Sequence, residues 1–535
     1  MRLIGLLLLA VCAYADPVIH SRKDNTIVLG YSGGELEVEF TSQSAFRVRR
    51  GLAGPPRKPI TEGKIEPKVT VTPQGLNFET NEIWVTVNPR GLIAVKLPAG
   101  MEIYAEESAQ VSEGKALLEL RSPSNEEFFG LGPRPDAAMN ARGHTVQAVP
   151  PFYVSSRGYA FWTTTPSPFT FDLAKSHAGR VGISANGLER MEYVFAYGPS
   201  LKEIWDEKLR ITGAPDVRGN EIEWIVGPRL PRGVTGLASE SLCAMEHALP
   251  HAALSGVMLP AVDLSRFRTV DDATFRKAAR LAMFSPVVQN SAGLEFEGAK
   301  ATYAAEARTF RKRLIHFLDT YADESRSRGY PVIHPLLHQF PRDIEAGRHI
   351  DAYMFGDEFL IAPVCDGSKE KQLYLPMGLW TDFQTLQEYK GRQTVKVPVP
   401  DDGLIIFAKN GSLIPLASPT AGGPTELHYF PRNGGEFFIL EPEIGEWTQA
   451  HAGPAVDIYR VQVESKVARR YEWVIYHMTK PSKVLQIEGS TYTEVTRDGV
   501  LNPGEWRWDA AKKTVRIGID SKANSDIIIN LEFSK

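Results

Sequence analysis

Three cysteines in 535 residues leave little for a disulfide framework. Cys12 lies in the first apolar run, so an exported chain would keep Cys243 and Cys365 alone. Both sit in apolar company, SLCAM and IAPVC, and the expectation is two buried free thiols. A zinc or redox site would need closer spacing and further ligands. Excess charge is also missing. The net charge is −4 and no basic run occurs, so composition makes no case for nucleic acid or an anionic membrane. There is no G-x-S-x-G, no phosphate-binding loop and no G-x-G-x-x-G opening a helix. His247 and His251 are four apart, but Pro250 stands between them, so they need not share a helix face. No cofactor or metal is expected.

Long hydrophobic runs are missing too. The longest opens the chain, in MRLIGLLLLAVCAYADP. Its apolar part, Leu3–Cys12, is too short to cross a bilayer. One Arg before it and Ala13-Tyr14-Ala15 after it read as a signal peptide, residues 1–15, cleaved after Ala15. The expected location is secreted or periplasmic, with no membrane span. Lipid attachment at Cys12 is the lesser alternative, because Val11 is bulky where a small residue is wanted.

What is present is mostly short alternating runs. NTIVLGY, GELEVEF, KVTVT, IWVTVN and LIAVKL have strand periodicity with one wet face. PFYVSSRGYAFWTTTPSPFTFDL and MEYVFAYGPS continue the pattern with dense aromatics, expected to fill a core between two sheets. Helical periodicity then enters with 201–213, 271–284 and a long Ala-rich stretch, 299–329, capped by Gly329. Between these lie EIEWIVG, LSGVMLPAV and YPVIHPLL, short apolar runs that alternate with helices as βα units do. His334 and His338 fall on one face of the last run and read as core histidines. From 351 the strand pattern returns and holds to the end.

The fold class expected is multidomain β plus α/β. An N-terminal β-sandwich takes 16–217, a partial (β/α) barrel 218–350, a proximal C-terminal β-domain 351–416 and a distal C-terminal β-sandwich 417–535.

Four stretches carry a family resemblance. They are FFGLGPRP with PFYVSSRGYAFW, MEYVFAYGPSLKEIWDEKLRITGAP, LSGVMLPAVDLSRF with LAMFSPVVQN, and YPVIHPLLHQFPRD with YMFGDEFLIAPV and KNGSLIPL. In this order and spacing the chain resembles glycoside hydrolase family 31, the retaining α-glucosidases and α-xylosidases. The resemblance implies a (β/α)₈ barrel between β-domains. Such a barrel needs about 200–250 residues, and 218–350 supplies 133. Pro215-Asp216-Val217 runs almost directly into IEWIVGPRLPRGVTGLASE, which is similar to family sequence found after the nucleophilic aspartate. The expectation is a barrel remnant without its first half, and without the nucleophile. Its open edge could pair two copies of the chain.

A retaining glycosidase needs two carboxyl groups about 5–5.5 Å apart. The resemblance puts Glu240 near the acid/base position, or else it is a solvated residue opening a helix. Asp263 matches the aspartate of the family's D-I-G-G, with Ser265 and Arg266 in place of the glycines; otherwise it caps a loop or bonds Arg266 or Arg268. Gln289 and Ser291 replace the family's sugar-binding Arg and His, and Gln289 with Asn290 could still bond a sugar hydroxyl. Asp357 with Glu358, and Asp401 with Asp402, read as turn acids. Trp162, Trp380 and Trp447 could stack on sugar rings, though each is more commonly core. Carbohydrate is the expected partner, bound by a degenerate family member. The alternative is an active retaining α-glucosidase or α-xylosidase.

Overall fold

The computed structural model describes residues 17–534 apart from 24, 52–63, 166, 240 and 488. The chain is mostly β and falls into two compact units. Residues up to 131 and 140–212 form the first; 132–139 and 213 onward form the second.

In the first unit an eight-stranded and a nine-stranded sheet share one core. Alternation decides which side chains enter it. In the strands Gly75–Glu79, Trp84–Val87 and Ile93–Lys96, the residues Leu76, Phe78, Val85, Val87, Ile93 and Val95 point inward. Aromatic pairs such as Phe46–Phe195 and Phe161–Tyr193, with ring centroids 5.1 and 5.0 Å apart, fill the space between the sheets. Among the buried carboxylates of this unit is Glu106. It accepts from the Ile93 amide at 2.8 Å, from Tyr104 and Tyr193, and from Arg50. Every partner a buried acid needs is present. Helix α1, Leu201–Thr212, ends this unit by burying Ile204 and Trp205.

The second unit opens on a four-stranded parallel sheet. Its strands, in spatial order, are Ile225–Val226, Val287–Asn290, Leu259–Asp263 and Val234–Gly236. The two inner strands are wholly buried, as parallel strands covered on both faces must be. The two edge strands have only two and three residues. Four helices belong to this region, after a short α2, Gly219–Ile222. Helix α3 is Leu242–Leu254, α4 is Asp272–Met283, α5 is Gly298–Arg313 and α6 is Ile315–Arg328.

Several expectations need correction. The stretch 299–329 is two helices, not one. Leu314, with ψ of 5°, completes the last turn of α5 and turns the chain before α6 begins. Its flanks are good helix formers, so periodicity does not register a one-residue break. EIEWIVG holds the last two residues of α2 and the two-residue strand Ile225–Val226. Pro250 does not separate His247 from His251; α3 continues through it. The run 330–337 does not close the parallel sheet. Its strand, Ile333–Pro335, pairs antiparallel with Tyr353–Phe355 and joins the six-stranded sheet that follows. His338 lies in a helical turn, Leu336–Gln339, with its ring 4.6 Å from that of His334.

Beyond that sheet, a six-stranded and a five-stranded sheet carry 413–532. The cysteines are the last correction. Cys243 is exposed at the start of α3, Cys365 is half-buried, and the two form a disulfide. They are 122 residues apart in sequence and 5.1 Å apart between Cα atoms.

Candidate active site

The C-terminal ends of parallel strands are where a βα fold gathers functional side chains. Here the strand Leu259–Asp263 is apolar until its last residue, and that residue is an acid. Asp263 is in register with Gln289 on the neighbouring strand, and Gln289 with Ile225 on the next. The sheet therefore brings Asp263, Gln289 and Asn290 to one edge, all buried.

Asp263 is occupied. Its Oδ1 accepts from the Ser265 amide at 3.1 Å, the Ser265 hydroxyl at 2.7 Å and the Ser291 amide at 3.1 Å. Its Oδ2 accepts from the Ser291 hydroxyl, with the Arg266 guanidinium 3.7 Å away. The first of these bonds caps the short 3₁₀ turn Leu264–Phe267. The turn after one strand is thus tied to the turn after the next. Gln289 is engaged as well, its Nε2 donating to the Gly227 carbonyl at 2.8 Å. The Gly227 amide donates to the Asn290 carbonyl at 3.0 Å, so side chain and backbone hold one loop together. Asn290 donates through Nδ2 to the Leu294 carbonyl at 2.9 Å, while its buried Oδ1 has no donor. Glu240 lies outside the described residues.

The other expected candidates are elsewhere. Asp357 and Glu358 occupy the turn between Tyr353–Phe355 and Phe359–Pro363. Glu358 is buried there, accepts from the Tyr321 hydroxyl at 2.7 Å, and is pushed up to about 8 by burial. Asp401 and Asp402 are also in a turn, and Asp402 pairs with Arg280 at 3.1 Å. Trp162 and Trp380 are core residues. Trp447 lines a groove of about 500 Å³ with Phe438, Asp357 and Glu358. Among the described residues no three His, Cys, Asp or Glu side chains are grouped to hold a metal ion, and no helix is long and apolar enough to cross a membrane.

Comparison with known proteins locates this architecture. Residues 329–414 match the model of the glycosyl hydrolase family 31 C-terminal domain. The isomaltosyltransferase of Sporosarcina globispora is 23% identical over 429 residues, 71% of this chain and 38% of its own length. Neutral alpha-glucosidase AB of Mus musculus is 35% identical over 108 residues, 20% of this chain and 11% of its own. Among solved structures, a family 31 dextranase of Flavobacterium johnsoniae complexed with glucose superposes with a TM-score of 0.76 at 14% identity, covering 97% of this chain and 99% of that one. A cycloalternan-forming enzyme of Listeria monocytogenes, in complex with a pentasaccharide substrate, gives 0.75 at 14% identity, covering 98% and 77%. These matches support membership of glycoside hydrolase family 31, with the family model itself covering residues 329–414. The chain spans less than two-fifths of the length of the isomaltosyltransferase and a smaller share of the alpha-glucosidase.

Four residues here have roles that the sequence alone did not assign. Ser265 and Ser291 read as mere losses of a glycine and a histidine, yet both turn on Asp263. Arg311 lies in TFRKR, near the end of α5. It is fully buried and donates to the carbonyls of Ile222, Glu223, Ser285 and Pro286. These carbonyls flank two of the four parallel strands, so Arg311 fixes their approach to the site. Glu246 on α3 is also buried. Burial pushes its carboxyl up to about 8, against the pull of Lys371 and Lys277. The signal for it was weak: an acid in an Ala- and Leu-rich helix.

Proposed function

We propose that this chain is an exported, carbohydrate-binding member of glycoside hydrolase family 31 that has lost glycoside hydrolysis. One observation carries the reading. The acid at the end of the central parallel strand is spent on two serines and their turns, with its oxygens facing protein donors. A retaining mechanism requires one carboxylate free to attack and a second free to donate a proton. Asp263 supplies neither while it holds the loops. The four parallel strands are read as the later part of a barrel whose front half, with its nucleophile, the chain does not encode. The named relatives and structures suggest α-gluco-oligosaccharides as the ligand class. Gln289 and Asn290 are the side chains proposed to meet them, the buried Asn290 Oδ1 having no donor among the described residues. The Cys243–Cys365 disulfide supports an oxidising compartment.

Isomaltotriose and aryl α-glucosides and α-xylosides test this reading, each assayed for binding by calorimetry and for hydrolysis or transfer. Binding without turnover is expected. Turnover that disappears in Glu240→Gln overturns the reading and makes the chain an enzyme with Glu240 as its acid/base.

A further inference from the structure

The outer face of the nine-stranded sheet carries a trough that the candidate site does not use. Four residues in register form its floor. Asn77 stands opposite Thr86, Thr86 opposite Ala94, and Ala94 opposite Ala105 on the strand Glu102–Ser112. Their neighbours along each strand point into the core, so these four necessarily face outward. The two alanines, Ala94 and Ala105, keep the floor low at one end of the row. Trp84 and Lys96, a cross-strand pair, rise on one side, and Asn88 and Arg90 on the other. The cavity so enclosed has a volume of about 770 Å³.

The trough therefore runs across the strands. Three strand spacings of ~4.8 Å give it a floor of about 14 Å, enough for a short chain of sugar rings and too long for one. Its chemistry is mixed in the way a sugar requires. The Trp84 indole offers a flat apolar face to ring C–H groups. The Thr86 hydroxyl donates to Asn77 Oδ1 at 3.0 Å and Asn77 Nδ2 donates to Glu79 at 2.9 Å, and Asn77 and Thr86 each keep further capacity for a hydroxyl. The charges at the far end are matched among themselves. Glu107 lies 2.7 Å from Arg180 and 3.5 Å from Arg121, and Arg121 bonds Glu102 at 3.1 Å. A neutral ligand settles beside this network without stripping a lone charge of its partner.

We infer that this trough is a binding site for a neutral α-gluco-oligosaccharide, lying along the Asn77–Thr86–Ala94–Ala105 row with a ring against Trp84. The inference rests on the reading of the chain as a carbohydrate-binding protein, but it uses no residue of the Asp263 edge. Its role is to hold the chain on a polymer, independently of what happens at the parallel sheet.

Native gel electrophoresis of the full chain in gels containing soluble dextran or soluble starch tests it. The wild type is expected to be slowed by at least one of them. Trp84→Ala and Ala94→Phe, the second filling the floor while keeping the indole, should each weaken binding fivefold or more with an unchanged melting temperature. Gln289→Ala should remain slowed. If Gln289→Ala runs freely and the two trough variants are slowed like wild type, the trough is refuted while the carbohydrate reading stands. If the wild type is not slowed by either polymer and binds no isomaltotriose in solution, both fall. Tighter binding of a sulfated or uronic acid polymer than of either neutral glucan also refutes the neutral site.

Discussion

Asp263 holds Ser291 twice, accepting its amide at 3.1 Å through Oδ1 and its hydroxyl through Oδ2. The same carboxylate holds Ser265 twice through Oδ1. Hydrogen bonds to a charged, buried acceptor are among the stronger ones, and leaving their donors unmet is costly. Asp263→Asn keeps the volume but presents an N–H where one hydroxyl donates. Its expected effect is a loss of roughly 1–3 kcal/mol, read from urea unfolding, with sugar binding altered only through the loops. Unchanged stability with abolished binding would instead make Asp263 a ligand contact.

The disulfide between Cys243 and Cys365 closes a loop of 122 residues. It links the first turn of α3 to the segment after the strand Phe359–Pro363. A crosslink over such a span removes much of the freedom of the unfolded chain, and losing it costs about 2–5 kcal/mol. Cys243→Ser should lower the unfolding midpoint, and a reductant should do the same to the wild type but not to the variant. The oxidised protein should show neither of these thiols to a thiol reagent after denaturation.

Local signals were legible in the sequence, and pairings across the chain were not. Asp271 caps α4 through the Thr274 amide at 2.9 Å, and Gly329 ends α6 in the left-handed region at φ 73°. Both follow from the residue and its neighbours alone. YPVIHPLL was read as an apolar strand, and a strand it contains. Nothing within those eight residues says whether the partner is parallel or antiparallel, because both bury the same short run. The cysteine pair is a long-range fact of the same kind. At the candidate site, the position of Asp263 at a strand end was legible. Its employment was not, because Ser265 and Ser291 come from two different turns that only the folded sheet brings together.

Buried titratable groups set opposite slopes on the pH dependence of stability. Burial pushes Glu246 and Glu358 up to about 8 from an ordinary 4.5. Between those values the folded chain keeps protons that the unfolded chain has released, so stability falls as pH rises from 4.5 to 8. His251 and His316 are pushed by burial down to about 3 from 6.5, with Arg134 and Arg469 adding repulsion. Stability that they allow above 6.5 is lost as pH falls toward 3. Unfolding free energy should therefore be highest between 4.5 and 6.5, where the two slopes oppose. Glu246→Gln should flatten the alkaline side and leave the acid side unchanged. A variant whose alkaline slope equals that of wild type would show that Glu246 titrates normally.

Arg311 offers the sharpest test of how the parallel sheet is held. Its guanidinium has no solvent exposure, and burial lowers its affinity for a proton. Among the described residues no carboxylate is hydrogen-bonded to it, and only the nearby charge of Glu223 pulls the other way. Its Nη2 donates to Ile222 at 3.0 Å and Pro286 at 2.9 Å, its Nε to Glu223 at 3.0 Å, and its Nη1 to Ser285. These four carbonyls come from the end of α2 and from the approach to the strand Val287–Asn290. A planar fork can satisfy them together, and a lysine ammonium cannot. Arg311→Lys should cost at least ~2 kcal/mol, and Arg311→Met more, about 3–5 kcal/mol, because it leaves the whole set of carbonyls unmet. Amide exchange should rise first at Val288 and Gln289. Because Gln289 sits on that strand, oligosaccharide affinity at the Asp263 edge should fall with it, while retention through Trp84 should persist. Equal exchange protection in Arg311→Met and wild type would mean that the strand is held by its neighbours alone.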